Sequence, residues 1–127
     1  MKIPTLYIFE SKLSGRGVFS TEDIPAGSVI EICPVILLPP DQVKAIESTE
    51  LYDYYFQWTE DEQSCAIALG YGSLYNHSFK PNARYYTDFE TNTLDIIALN
   101  DIPAGEEITF NYNGEPDDME PVWFMEQ

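Results

Sequence analysis

Gly72-Ser73-Leu74-Tyr75-Asn76-His77-Ser78-Phe79-Lys80-Pro81-Asn82 sets the chain's only histidine beside two asparagines, between segments that read as strands. Each asparagine amide offers two donor hydrogens and an acceptor oxygen, enough to tie together backbone that no ladder reaches or to hold a polar ligand. Glycine and proline near the ends of the run mark a turn-rich connection, the kind of loop on a rigid sheet where binding chemistry concentrates. On chemistry alone, a structural loop whose polar atoms are satisfied internally is an equally good reading.

Two further stretches bear on that choice. Gly15-Arg16-Gly17-Val18-Phe19 lies early in the chain, and Glu106-Glu107-Ile108-Thr109-Phe110-Asn111-Tyr112 comes a few dozen residues after the loop. Together with Asn76-His77-Ser78, in this order, they resemble the signature of SET-domain protein-lysine methyltransferases, in particular the small stand-alone bacterial, archaeal and viral type. The three pieces span most of the chain, and their conjunction is specific where each alone is weak.

The resemblance implies a mainly β chain: a β-clip-like fold of small antiparallel sheets with a short helix. Its C-terminal segment would be threaded under the Asn-His-Ser loop in a pseudoknot-like arrangement. Such threading is rare among proteins, and it would bring Asn76 and Tyr112 together. It further implies a SET domain over residues 1–114 and a post-SET-like segment over 115–127, acidic and aromatic and without zinc cysteines. S-adenosylmethionine is the implied cofactor, with backbone contacts from Arg16 and Gly17, Asn76 at its amino acid end and His77 reaching the adenine through its backbone. Trp123 or Phe124 would fold back over it. Tyr112 is the implied catalytic residue, aligning the amine and stabilising the sulfonium, while Tyr75, Tyr85, Phe110 and Tyr112 line the lysine channel. Glu107 and Thr109 are implied scaffold. Phe110 falls where the family carries Phe or Tyr, and Phe leaves room for di- or trimethylation. Asn111 stands where many members have Asp, an exchange expected to have little chemical effect.

Composition sets the remaining bounds. A length of 127 residues suits one domain, and a hydrophobic fraction of 44% argues for a folded chain rather than a disordered one. No apolar run approaches membrane-spanning length and Met1-Lys2-Ile3-Pro4 does not open a signal peptide, so an intracellular setting is expected: cytoplasmic in a prokaryote, nuclear in a eukaryote or for a virus. Cys33 and Cys65 are too few for a structural zinc site with one histidine and read as small core residues, so no metal is expected. The 22 acidic against 6 basic residues give a net charge of −16, which repels nucleic acid and the membrane surface and attracts basic proteins. Solubility alone would explain the same charge.

Along the chain, Thr5 to Glu10 reads as a strand buried on both faces or near an edge. Asp23-Ile24-Pro25-Ala26-Gly27 recurs as Asp101-Ile102-Pro103-Ala104-Gly105, two type I turns that read as scaffold. Val35-Ile36-Leu37-Leu38 reads as a buried strand, and Asp41 as the N-cap of a short helix ending near Ser48. Strands are expected at 54–58 and 65–69, and a hairpin at 83–87 and 93–99. The apolar Val122-Trp123-Phe124-Met125 should dock on the domain or form a homodimer contact.

The function these readings support is S-adenosylmethionine-dependent methylation of lysine in a basic protein, such as a histone, a histone-like or a ribosomal protein. The competing reading is a non-catalytic SET-like module that binds a basic partner.

Overall fold

A computed structural model of the chain describes residues 1–58 and 63–122. Strands β1 (Leu6–Glu10) and β2 (Arg16–Ser20) form an antiparallel hairpin. Strand β1 is an edge strand, and Phe9 on it is largely exposed. Strand β3 (Val29–Leu38) is the centre of a five-stranded antiparallel sheet with β4 (Tyr55–Gln57), β5 (Cys65–Ala68), β7 (Ala83–Asp88) and β8 (Thr93–Ala98), in the order β4-β5-β3-β8-β7. The expected hairpin is present as β7 and β8. Leu94, Ile96 and Ala98 alternate inward along β8, as the period of two requires.

Three expectations need correction. The apolar run Val35–Leu38 is not a separate buried strand but the second half of β3, and Ile36 and Leu37 are 50% and 44% exposed because only one partner, β5, flanks that half. Helix α1 (Pro40–Glu47) is capped by Pro39 without a side-chain bond, so Asp41 lies in the first turn rather than at the cap. Proline at the first helical position carries the required φ without an N–H to satisfy, which moves the start two residues earlier. Val43 and Ile46 face inward as expected, with Ile46 buried. The two repeated turns are type II rather than type I. Ser28 N–H donates to Pro25 O and Glu106 N–H to Pro103 O, both at 3.1 Å, which puts proline at the first turn position and glycine at the third. Gly27 and Gly105 accordingly have φ of +82° and +83°, a conformation open to glycine at little cost.

The two copies of that repeat bind each other. Ile24 and Ile102 exchange backbone hydrogen bonds at 2.8 Å in both directions. Asp101 Oδ1 accepts from Ala26 N–H at 2.8 Å, and Asp23 Oδ1 returns the arrangement on Ala104 N–H at 2.9 Å. This local twofold clasp lies beside Ile24, Ile102 and Ile108 in the core and joins the two halves of the chain.

The clasp leads directly into the segment that carries Tyr112. Ile108 bridges to Val18 of β2, and β9 (Thr109–Phe110) pairs in parallel with β6 (Asn76–His77). Ser78 N–H continues that pairing by donating to Phe110 O at 3.1 Å. Residues 107–112 thus run between the β1–β2 hairpin and the Asn-His-Ser loop, the expected threading. Asn82 fills a gap in the ladder with its side chain, donating to Glu107 O at 2.8 Å and accepting from Thr109 N–H at 2.9 Å.

Candidate active site

Asn76 is the hub of one side of the site. Its Nδ2 lies 3.1 Å from Ser14 O, 3.0 Å from Arg16 O and 2.7 Å from Glu107 Oε2, so two N–H bonds serve three acceptors. Glu107 takes a second donor, the Ser11 hydroxyl, at 2.5 Å. The β1–β2 turn, β6 and the approach to β9 are thereby fastened at one point. Gly17 is required there: a Cβ would overlap the Glu107 carboxylate and press on Asn76 Nδ2. Lys12 and Arg16, both exposed, lie in the 11–17 segment that Asn76 and Glu107 bind.

The His77 ring accepts the Tyr112 N–H on Nδ1 at 3.0 Å, which puts the proton of the neutral ring on Nε2. Burial holds its pKa below the ordinary histidine value, so the accepting, neutral form prevails. The ring also meets Phe79 edge-on at 4.4 Å.

Tyr112 is held from three directions. Its hydroxyl donates to Tyr75 O at 2.6 Å, its N–H goes to His77, and its carbonyl accepts the Tyr85 hydroxyl at 3.1 Å. Burial, reinforced by Tyr54 and then by Glu107 and Asp53, pushes its phenol far above the ordinary value. Tyr112 is therefore a fixed hydroxyl donor at any working pH and not a base. Tyr75 is itself anchored, its hydroxyl donating at 2.7 Å to Glu31, a carboxylate only 2% exposed that also accepts Tyr71 N–H at 2.9 Å. Phe110 is fully buried, with the rings of Tyr85, Tyr75, Tyr112 and Phe56 at 4.9, 5.4, 5.8 and 6.3 Å. The Tyr85 phenol, pushed up to about 12 by burial and by Glu115, stays protonated beside it.

A cleft of about 760 Å³ opens over these rings. Tyr75, Tyr85 and Tyr112 line it together with Tyr54 and Phe56. Asp53, Asp118 and Glu120 line it as well, and Asp53 and Glu120 are exposed, so the aromatic interior has an acidic mouth.

Of the residues singled out in the sequence, Arg16, Gly17, Asn76 and His77 come together on the hub side. Tyr75, Tyr85 and Tyr112 come together in the lining of the cleft, and Phe110 packs against their rings without reaching the lining. Trp123 and Phe124 lie outside the described residues. Sequence reasoning missed Asp53 and Tyr54, which approach Tyr112 from the short 3-10 turn Glu50–Asp53 and the residue after it. The signal available was the aromatic and acidic run Tyr52-Asp53-Tyr54-Tyr55-Phe56.

The profile of the SET domain family matches residues 15–113. The chain belongs to the SET domain family. A histone-lysine N-methyltransferase specific for H3 lysine-37 from Schizosaccharomyces pombe is 33% identical over the whole chain and 84% of its own length. A variant-silencing SET domain-containing protein of Plasmodium falciparum is 32% identical over 87% of the chain, which matches only 5% of that longer protein. Among solved structures, a Plasmodium falciparum protein assigned as a histone methyltransferase superposes with a TM-score of 0.70 at 33% identity, covering 87% of this chain and 98% of that one. Chaetomium thermophilum Polycomb Repressive Complex 2, in an autoinhibited conformation bound to S-adenosylmethionine, superposes with a TM-score of 0.70 at 25% identity, over 85% of this chain and 15% of that one. These SET relatives support lysine methyltransferase activity for the chain.

Proposed function

We propose that the protein is an S-adenosylmethionine-dependent protein-lysine N-methyltransferase acting on a basic protein, with di- or trimethyl-lysine as product. The observation that carries the reading is the fixed Tyr112 hydroxyl, bonded to Tyr75 O at the floor of an aromatic cleft and one residue from the Asn76 hub.

The hub side has the donor set an amino acid moiety needs. Arg16 and Lys12 offer cations to a carboxylate, and the Asn76 amide oxygen together with the carbonyls of the β1–β2 turn offers acceptors to an ammonium. His77 and Phe79 present an aromatic surface beside them, suited to an adenine. When bound, S-adenosylmethionine supplies an electrophilic methyl group on a sulfonium.

The cleft handles the other reactant. A lysine ammonium has an ordinary pKa of about 10.4 and must lose a proton before its nitrogen can attack. The acidic mouth attracts the charged form, whereas the aromatic interior, which lowers an amine's pKa by desolvation, favours the neutral one. The proton leaves toward solvent at the open mouth, because Tyr112 is a donor and cannot take it. Tyr112 and the Tyr75 carbonyl then align the amine. Phe110 brings no hydroxyl into this space and Tyr85 spends its own on Tyr112 O, which leaves room for a second and third methyl.

Transfer of labelled methyl to basic proteins tests the activity, and mass spectrometry of the product tests its degree. Di- or trimethyl-lysine is expected, with Phe110→Tyr shifting product toward monomethyl-lysine. Monomethyl-lysine alone from the wild type would remove the Phe110 argument. A non-catalytic binding module would bind the basic protein and transfer nothing.

A further inference from the structure

Past Tyr112 the chain turns back on itself, with Gly114 N–H donating to Asn111 O at 3.0 Å and Gly114 at φ +99°. Two asparagine side chains then hold the backbone of the C-terminal segment. Asn111, 2% exposed, donates from Nδ2 to Asp118 O at 2.7 Å and lies 3.4 Å from Pro116 O, while its Oδ1 accepts Asn113 N–H at 2.9 Å. Asn113 donates from its own Nδ2 to Glu120 O at 2.7 Å. Carbonyls 116, 118 and 120 are thus held by side-chain amides, and Val122, 3% exposed, anchors the end. Between these points the segment contributes Asp118, Glu120 and Val122 to the lining of the cleft that holds Tyr54 and Tyr112.

The residue type at 111 is dictated by these partners. An amide has two donor hydrogens, whereas an ionised carboxylate only accepts. Aspartate at this position would bury a negative charge against two carbonyl oxygens and lose both bonds. These bonds argue against the expectation from sequence that an exchange between Asn and Asp has little chemical effect.

We infer that Asn111 and Asn113 are positioning residues for the peptide substrate: their amides fix residues 115–122 as a wall of the cleft and so set the affinity for a cationic peptide. The inference rests on the methyltransferase reading above. The wall carries acidic side chains to the cleft, while the hub at Asn76, Glu107 and the β1–β2 turn is fastened by separate bonds. Loosening the wall therefore weakens peptide binding more than it disturbs the cofactor side, whose hub keeps its own bonds.

The test uses the full chain, Asn111→Asp and Asn113→Ala, and an arginine-rich peptide with a single lysine. Amide hydrogen exchange over residues 114–122 should speed up about tenfold in Asn111→Asp and less in Asn113→Ala, the loss of one or two modest hydrogen bonds. The KM for the peptide should rise about tenfold and about threefold respectively, with the KM for S-adenosylmethionine rising clearly less and kcat within about twofold of wild type. Unchanged exchange in both variants overturns the inference, as does an equal rise in both KM values. If Asn111→Asp does not fold, Asn113→Ala alone decides by the same two readouts. Should wild type transfer no methyl at all, the methyltransferase reading fails. The clamp is then judged by exchange and by fluorescence anisotropy of the labelled peptide, where weaker binding in the variants supports it and equal binding refutes it.

Discussion

On one side of Tyr112, Asn76, Glu107, Ser11 and the glycine turn converge through side-chain bonds of 2.5 to 3.1 Å, with Lys12 and Arg16 in the same turn. On the other side, Asp53, Tyr54, Phe56 and the 115–120 segment form an open aromatic cleft with an acidic mouth. Three different segments are tied at the hub, and none of the tying groups can be exchanged singly without stranding a partner. The cleft walls come from a four-residue 3-10 turn, short strands and a segment held by two amides. On the proposed reading, the difference separates what would hold the methyl donor from what would read the substrate: the first is made of motif residues, the second is a local construction of this chain. Tyr112, bonded to both, is where a change should hurt most.

Tyr112→Phe should therefore have the largest effect. It removes the hydroxyl from Tyr75 O and from the amine, and methyl transfer should fall by about 10²- to 10³-fold, in the range measured for single preorganised donors. The melting temperature should drop only a few degrees, for one net hydrogen bond of about 1 kcal/mol. Comparable losses in activity from Tyr54→Phe would mean that the catalytic hydroxyl lies on the cleft wall instead.

Gly17→Ala strikes the hub alone. The new methyl displaces the Glu107 carboxylate from Asn76 and Ser11, and stability should fall by about 1–3 kcal/mol, read from chemical denaturation. If the hub and cleft are as separate as described, the KM for S-adenosylmethionine rises and that for the peptide does not.

Asp53→Asn strikes the mouth of the cleft. Being exposed, it should raise the KM for a basic peptide only a few-fold, and the difference should vanish at high salt. A salt-independent effect would mean that Asp53 bonds the substrate directly.

The smallest effect concerns His77. Its folded pKa lies below the unfolded value of about 6.5, so its contribution to stability is complete above that value and is lost as pH falls through the folded pKa. Protonation at Nδ1 removes the acceptor for Tyr112 N–H. Thermal melts of wild type and His77→Asn across mildly acidic pH should converge as pH falls. Parallel curves would show that the ring is not the acceptor.

The hub was legible because its residues sit in short motifs whose spacing survives in the linear chain: Asn76 with His77, Glu107 with Tyr112, Gly15 with Gly17. The threading of 107–112 under the loop could be expected from them and is present. The cleft was harder to see. Tyr54 belongs to a run that reads only as a short strand, and nothing local indicates that its neighbour Asp53 faces Tyr112. The bonds of Asn111 depend on where carbonyls 116 and 118 arrive, which no local pattern encodes. The repeat at 23–27 and 101–105 was visible, but that each copy caps the other is a property of their meeting in space. The turn type was misread by assigning proline to the second turn position, when the glycine φ fixes it at the first.

The most direct measurement is transfer of labelled methyl from S-adenosylmethionine to a panel of basic proteins by wild type and by Tyr112→Phe. Label on lysine that falls at least about a hundredfold in the folded variant is the predicted result. Transfer that persists undiminished in the variant, or binding of a basic protein with no transfer by wild type, would contradict the account.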